Sequence, residues 1–334
     1  MEYRLGGLHH VSAITGDAGR NIDFFTRILG MRLVKKTVNQ DDVSTYHFFY
    51  GDELGRPGTE VTFFAFPGAN VHRPGSGTIT TIALAVPSRE SLDWWQQRFD
   101  ELNVEHGDVI DRGGRPTLPF VDFEGQRLAL VAVEDRDRGA IGGLPWDGSP
   151  IPAEHQIRGM YFIETTVADL EPTARTLTDT LRFEQADSYE IAVDGGETAT
   201  VTVFQTGPGG AGAELHVVER PGLPLGRPGA GGVHHVAFRT PDDEQHAAWQ
   251  QHIQAAGFNV TPQIDRFYFR AIYFREPGRV LYEISTDGPG FATDEDPAHL
   301  GEKLALPPFL EPYREQIEAG LQPIVIPSPQ GTAA

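Results

Sequence analysis

No cysteine occurs anywhere in the 334-residue chain. That absence removes disulfides, thiolate metal ligands and cysteine nucleophiles together. Any metal must therefore be held by nitrogen and oxygen donors, which suit iron, manganese, zinc, cobalt or nickel. Lysine is scarce as well, confined to Lys35, Lys36 and Lys303. No stretch of about 18 apolar residues occurs, so no membrane span is expected. The first residues, Met1-Glu2-Tyr3-Arg4-Leu5-Gly6-Gly7, carry no apolar signal core, and the expected location is the cytoplasm.

What the chain does have is acid. Its formal net charge is -20. Such a surface repels phosphate backbones, so nucleic acid is not an expected partner. A strongly acidic, lysine-poor surface fits a high-salt cytoplasm. GC-rich coding bias combined with solubility is the blander account. The apolar share, 39%, is ordinary and allows a real core. The length is comfortable for two domains.

The strand-like run Leu8-His9-His10-Val11 has a second copy at Val233-His234-His235-Val236. Each leads into a helical pattern. After the first copy, Ile22, Phe25, Ile28 and Leu29 share one helical face, with Asp17 as N-cap and Gly30 as C-cap. Related units begin near residues 8, 79, 159 and 233, at spacings of roughly 71, 80 and 74 residues by subtraction. Each reads β-α-β-β-β. Turn-rich links are expected at 139–152 and 221–232. From Asp287 the periodicity fades into Pro-rich sequence such as Leu306-Pro307-Pro308, read as a tail draped over the body and fraying near Gln330 to Ala334.

Comparing the units isolates three polar candidates. Units one and four carry His10 and His235 on their first strands, where units two and three have apolar residues near Ala83 and Phe162. On the last strand unit four carries Glu283. A loose alignment of the turns Glu276-Pro277-Gly278 and Arg56-Pro57-Gly58 puts Phe63 at the corresponding place in unit one. The turn at Glu124-Gly125 puts Leu130 there in unit two. Neighbouring residues on a strand point to opposite faces, so only one histidine of each pair can enter a given site. A lone strand histidine is ordinarily a hydrogen-bonded core or surface residue. Two in equivalent positions of a repeat, with a glutamate on a neighbouring strand, point instead to a metal site shared by units one and four. His9 and His234 would orient the ligands or handle protons, or stand at the edge without a role.

These residues resemble the vicinal oxygen chelate superfamily, over about 8 to 290. Within it the chain looks most like the ring-cleaving dioxygenases that act on hydroquinones. The most specific piece is Tyr273-Phe274-Arg275-Glu276-Pro277-Gly278-Arg279-Val280-Leu281-Tyr282-Glu283, following Asp265-Arg266-Phe267-Tyr268-Phe269. The resemblance implies an α+β fold of four βαβββ modules in two paired cup-shaped mixed sheets. The corresponding division is an N-terminal domain over 1–138, a C-terminal domain over 153–290 and a tail over 291–334.

The resemblance also implies chemistry. Fe(II), with Mn(II) as the alternative, would be held by His10, His235 and Glu283, and the partners would be a small aromatic substrate and O₂. A two-His-one-carboxylate triad with open positions is typical of non-haem Fe(II) oxygenases. Candidates for the substrate's other end are Tyr273 and Arg266, with His9 and His234 as acid or base. The alternatives are a strand tyrosine packing on the core and a surface cation at a strand start. A glyoxalase-like lyase or transferase would want a fourth ligand at Phe63, which is apolar. A metal-free protein that binds a small aromatic molecule is the other competing reading. A homodimer is the assembly expected of a sheet-built enzyme of this kind.

Overall fold

The computed structural model describes residues 3–134, 141–193 and 196–326. Residues 139–140 of the first expected link, and the fraying expected near Gln330 to Ala334, lie outside them. Four modules follow one another. The first comprises β1 (Leu8–Thr15), α1 (Ala18–Asp23), β2 (Arg32–Asn39), β3 (Asp42–Gly51) and β4 (Glu60–Ala65). The second comprises β5 (Thr78–Val86), α2 (Arg89–Leu102), β6 (Ile110–Asp111), β7 (Pro116–Val121) and β8 (Arg127–Ala132). The third comprises β9 (Met160–Val167), α3 (Leu170–Arg175), β10 (Glu184–Ala192), β11 (Thr198–Gln205) and β12 (Glu214–Glu219). The fourth comprises β13 (Gly232–Thr240), α4 (Asp243–Ala255), β14 (Ile264–Asp265), β15 (Arg270–Arg275) and β16 (Leu281–Thr286).

The helix starts follow capping chemistry. Asp17, Ser88, Asp169 and Asp242 each accept a first-turn backbone N–H. Among the described residues, sixteen strands form two curled mixed sheets of eight. One runs β14-β15-β16-β13-β1-β4-β3-β2 and the other β10-β11-β12-β9-β5-β8-β7-β6. Sheet one therefore joins modules one and four, and sheet two joins modules two and three. No helix among the described residues is long and apolar enough to cross a membrane.

Period-two alternation decides which residues face each cup. On β1, Val11 and Ala13 enter the main hydrophobic core, as do Val61 and Phe63 on β4 and Tyr282 and Ile284 on β16. The alternate residues His10, Ser12, Thr62, Glu283 and Ser285 turn to the cup, buried but polar. Phe63 packs on Phe25, with ring centroids 4.7 Å apart.

The register corrects the loose alignment of turns. In module four Ala237, two residues beyond His235, pairs with Glu283. In module one Ser12, two residues beyond His10, pairs with Thr62. Thr62, not Phe63, is the counterpart of Glu283. By the same pairing the counterparts are Thr81 and Ala129 in module two, and Phe162 and His216 in module three. A turn-based alignment slips by one residue easily, and one residue reverses the face.

The tail is more ordered than its composition implies. It includes a helix, α5 (Arg314–Gly320), and buries Leu306, Ile317 and Leu321 against Val38. Lys35, fully buried on β2, donates to Phe291 O at 3.2 Å and pairs with Asp294 at 2.7 Å and with Glu295. That buried cation fastens the segment after β16 to the edge of sheet one.

Candidate active site

His10, His235 and Glu283 converge on three adjacent strands at the base of cup one. His235 Nε2 lies 2.7 Å and His10 Nε2 lies 3.4 Å from Glu283 Oε2, and the two Nε2 atoms are 3.4 Å apart. Bonds of about 2.1 Å to one ion separate neighbouring donors by about 3 Å at right angles and about 3.4 Å at tetrahedral angles. The observed spacings span both. Glu283 Oε1 accepts the Ser285 hydroxyl at 2.6 Å, while Oε2 is buried without a contact of hydrogen-bond geometry. A carboxylate that is fully buried and half unsatisfied is costly unless a cation completes it. The donor set therefore fits a divalent metal.

Two β-bulges orient the imidazoles. Along β1 and β13, Leu8 pairs with Phe238 and His10 with Ala237, leaving His9 as the extra residue. Ser12 pairs with His235 and Ala13 with Val233, leaving His234 as the extra residue. With His10 and His235 facing the cup, strict alternation predicts that the first histidine of each pair turns away. The bulge instead lets each first histidine reach its neighbour's ring, as bulges beside sites commonly do. His9 Nδ1 lies 3.0 Å from His10 Nδ1, and His234 Nδ1 lies 2.8 Å from His235 Nδ1. Both Nε2 atoms are thereby left facing Glu283.

A second donor group, His9, His10 and Glu60, is also close enough to surround an ion. His9 commits Nδ1 to His10 and Nε2 to the Thr286 carbonyl at 3.0 Å, so no lone pair is spare there. Burial and nearby acids push the Glu60 pKa well up, so its neutral form is favoured. The first group is the better cation site.

The electrostatics agree. Burial raises the Glu283 pKa, but His10 and His235 outweigh it and hold it well below the usual carboxylate range. Burial lowers His235, with Glu283 opposing. Burial, helped by His10, takes His9 down to about 3, and burial with His235 takes His234 down to about 4. These imidazoles are neutral near pH 7, as metal ligation and hydrogen bonding to ligands require.

Above the triad lies a cavity lined by His10, His47 and His235. Phe49, Phe64, Tyr268, Phe269 and Tyr273 give it aromatic walls, and Gln40, Asp41 and Arg266 a polar rim. Tyr273 stands opposite Glu283 across the β15–β16 pair and faces inward, its ring 5.6 Å from that of His235. Burial and Glu283 push the Tyr273 pKa well above its usual value. Arg266 reaches the rim, where its guanidinium holds Asp41 at 3.1 and 2.8 Å and lies 5.8 Å from the Tyr273 ring centre. His9 and His234 do not line this cavity. Sequence reasoning did not single out Ser12, Thr62 or His47. The signal available for His47 was alternation within Thr45 to Tyr50, which cannot name the face without a register.

Comparison with known proteins adds relationships. A family model described as "Glyoxalase/Bleomycin resistance protein/Dioxygenase superfamily" matches residues 7–138 and again 159–284. The chain is 46% identical over 321 residues to "Putative ring-cleaving dioxygenase MhqA" of Bacillus subtilis, covering 96% of this chain and 99% of that protein. It is 32% identical to "Chlorohydroquinone/hydroquinone 1,2-dioxygenase" of Sphingobium indicum, over 97% and 98%. A crystal structure of a dioxygenase, again titled putative, from Bacillus subtilis superposes with a TM-score of 0.86 at 36% identity, over 98% of this chain and all of that one. Glyoxalase I from Zea mays, at 14% identity and a TM-score of 0.61, shares the fold.

Proposed function

From the premise that the chain belongs to the glyoxalase, bleomycin resistance protein and dioxygenase superfamily, we propose that it is a ring-cleaving dioxygenase. In this reading it uses Fe(II), with Mn(II) as the alternative, on hydroquinone-type or catechol-type compounds and O₂. One observation carries the reading: an orphaned buried carboxylate oxygen faces two imidazole nitrogens beneath a cavity walled by aromatic rings. One relative named a putative ring-cleaving dioxygenase and another named for chlorohydroquinone and hydroquinone dioxygenation align over nearly their whole length.

His10, His235 and Glu283 are the proposed ligands. Bound there, the metal supplies Lewis acidity toward a phenolic oxygen and open positions for both reactants. The chain's own groups do the rest. His9 and His234 occupy the outer nitrogens of the two ligand imidazoles and fix their rings, as outer partners of metal-bound histidines do. The walls hold an aromatic ring and keep water out, so polar contacts inside strengthen. Tyr273, on the cavity wall with its ring 5.6 Å from that of His235, is placed to hydrogen-bond a substrate oxygen and keeps its proton at neutral pH.

The test is oxygen uptake by protein loaded anaerobically with Fe(II) and then given hydroquinone, methylhydroquinone or catechol. Uptake with at least one is expected, together with about one metal per chain. No uptake on any of the three sinks the dioxygenase reading. Metal-dependent isomerisation without O₂ would move the protein to the lyase branch of the fold.

A further inference from the structure

His47 is the third imidazole on the cup-one cavity, and nothing in the ligand set uses it. It lies on β3 with its ring between Phe49 and Phe64, 4.1 Å from each centroid. Its Nε2 lies 3.0 Å from the Thr62 hydroxyl, and that hydroxyl lies 2.7 Å from Ser12 Oγ. Nδ1 has no hydrogen-bond partner among the described residues. The repeat shows how unusual this is. Register places Thr117, Val201 and Ala271 at the same point in the other three modules. Only module one sets an imidazole there, and it does so on the side of the cup remote from Glu283.

We propose that His47 binds the ring oxygen that the metal does not hold, and so selects para-dihydroxylated rings. This rests on the ring-cleavage reading and names its substrate geometry. The strand order β16-β13-β1-β4-β3 puts His47 two strands beyond His10, about 10 Å between backbones. A ring anchored at the triad spans that gap and offers its far edge. An ortho hydroxyl lies next to the anchored oxygen and cannot reach. The hydroxyls of Ser12 and Thr62 rotate, so Thr62 can either donate to Nε2 or accept from it. Nδ1 accordingly either donates or accepts, which matches a phenolic hydroxyl. Two aromatic rings fix the imidazole plane, so little side-chain entropy is lost on binding.

The experiment compares binding of hydroquinone and phenol, the same ring with and without the far hydroxyl. It uses metal-loaded protein without O₂, read by calorimetry. Wild type is expected to prefer hydroquinone by about tenfold, the scale of one buried hydrogen bond. His47→Leu should bring the ratio to about one with phenol affinity and metal content unchanged. Thr62→Val, which removes only the Nε2 partner, should give an intermediate ratio. His47→Gln should recover part of the preference, and it carries the test if His47→Leu fails to fold. An unchanged ratio in His47→Leu and His47→Gln, or no preference in wild type, overturns the proposal. Because turnover is not needed, failure of the oxygen-uptake assay remains a separate result.

Discussion

In cup one, His10, His235 and Glu283 leave a buried carboxylate oxygen facing two imidazole nitrogens. In cup two the same backbone positions carry Thr81, Phe162 and His216, and arginines from the β6–β7 hairpin lie among the carboxylates. Arg115 grips Glu214 through two hydrogen bonds of 2.9 and 2.8 Å. Glu214 also meets His216 Nε2 at 2.9 Å, and His216 Nδ1 meets the Tyr189 hydroxyl at 2.9 Å. Phe162 stacks on His216 at 3.9 Å with the ring planes 6° apart. Arg112 pairs with Glu164, which also accepts the Thr81 hydroxyl at 3.0 Å. Both cups bury negative charge. Cup two supplies its own cations and has no metal-sized donor group among the described residues, whereas cup one carries a donor group that could hold one. A repeated fold can thus carry an unpaired donor group in one copy and self-paired charges in the other.

The largest expected effect tests this asymmetry directly. His10→Ala should abolish both metal binding and oxygen uptake, measured by metal analysis and an oxygen electrode, while Thr81→Ala at the equivalent place should change neither. His9→Ala removes the partner of His10 Nδ1, along with the contact to the Thr286 carbonyl, and should weaken metal affinity about 10- to 100-fold. Equal metal content in His10→Ala and wild type would end the comparison.

Next in size is a break in the charge pairing of cup two. Arg115→Met leaves Glu214 buried without its fork, and breaking such a pair typically costs about 3–5 kcal/mol. Urea unfolding should show that loss with metal stoichiometry unchanged. A loss of metal would mean that the two cups are not independent.

The third prediction concerns acid. Burial raises the Glu214 pKa, but His216 and Arg115 outweigh it and hold it at about 2. The unfolded value is higher, so the unfolded chain binds the proton first as pH falls. The stability from this group is present above about pH 4.5 and is lost as pH falls toward 2, on the order of 3 kcal/mol. Burial also depresses His216, which acts in the same direction from about pH 6.5 downward. Glu214→Gln should flatten the decline of unfolding free energy between about pH 4.5 and 2. Coincident curves for mutant and wild type would remove the electrostatic account of cup two.

How much of this contrast could be read from sequence depends on what each feature needs. The convergence of His10, His235 and Glu283 was legible because two units repeat the same histidine register and one alone carries the carboxylate. The four modules were legible from their helices and apolar strands. β2 and β10 were not, since Lys35 and Lys36 interrupt one and the other is a mostly exposed polar edge. The bulges at His9 and His234 add one residue without changing composition, and only pairing reveals them. Thr62 was missed because a slip of one residue exchanges it for Phe63. Arg112 and Arg115 flank Gly113-Gly114 and read as a surface turn; their burial depends on carboxylates 50 to 100 residues away.

The smallest expected effect lies at the rim of cup one. Its outer hairpins come from opposite edges of the same sheet, and Arg266 joins them by holding Asp41, while Gln40 donates to the Arg266 carbonyl at 2.9 Å. Asp41 is 71% exposed, so the ion pair is screened by solvent and worth at most about 1 kcal/mol. Asp41→Asn should therefore leave the unfolding free energy nearly unchanged. It should instead loosen the mouth of the cavity and free Arg266 to turn toward Tyr273, whose ring it already overlies. The expected result is a KM for the ring substrate changed about two- to fivefold, with kcat and metal content held, and an effect that shrinks as salt rises. A matching exposed pair remote from both cups, Arg175 with Glu171, supplies the control, and its removal should alter neither constant. If the two variants behave alike, the clasp is ordinary surface charge, and entry to cup one is governed by its aromatic walls alone.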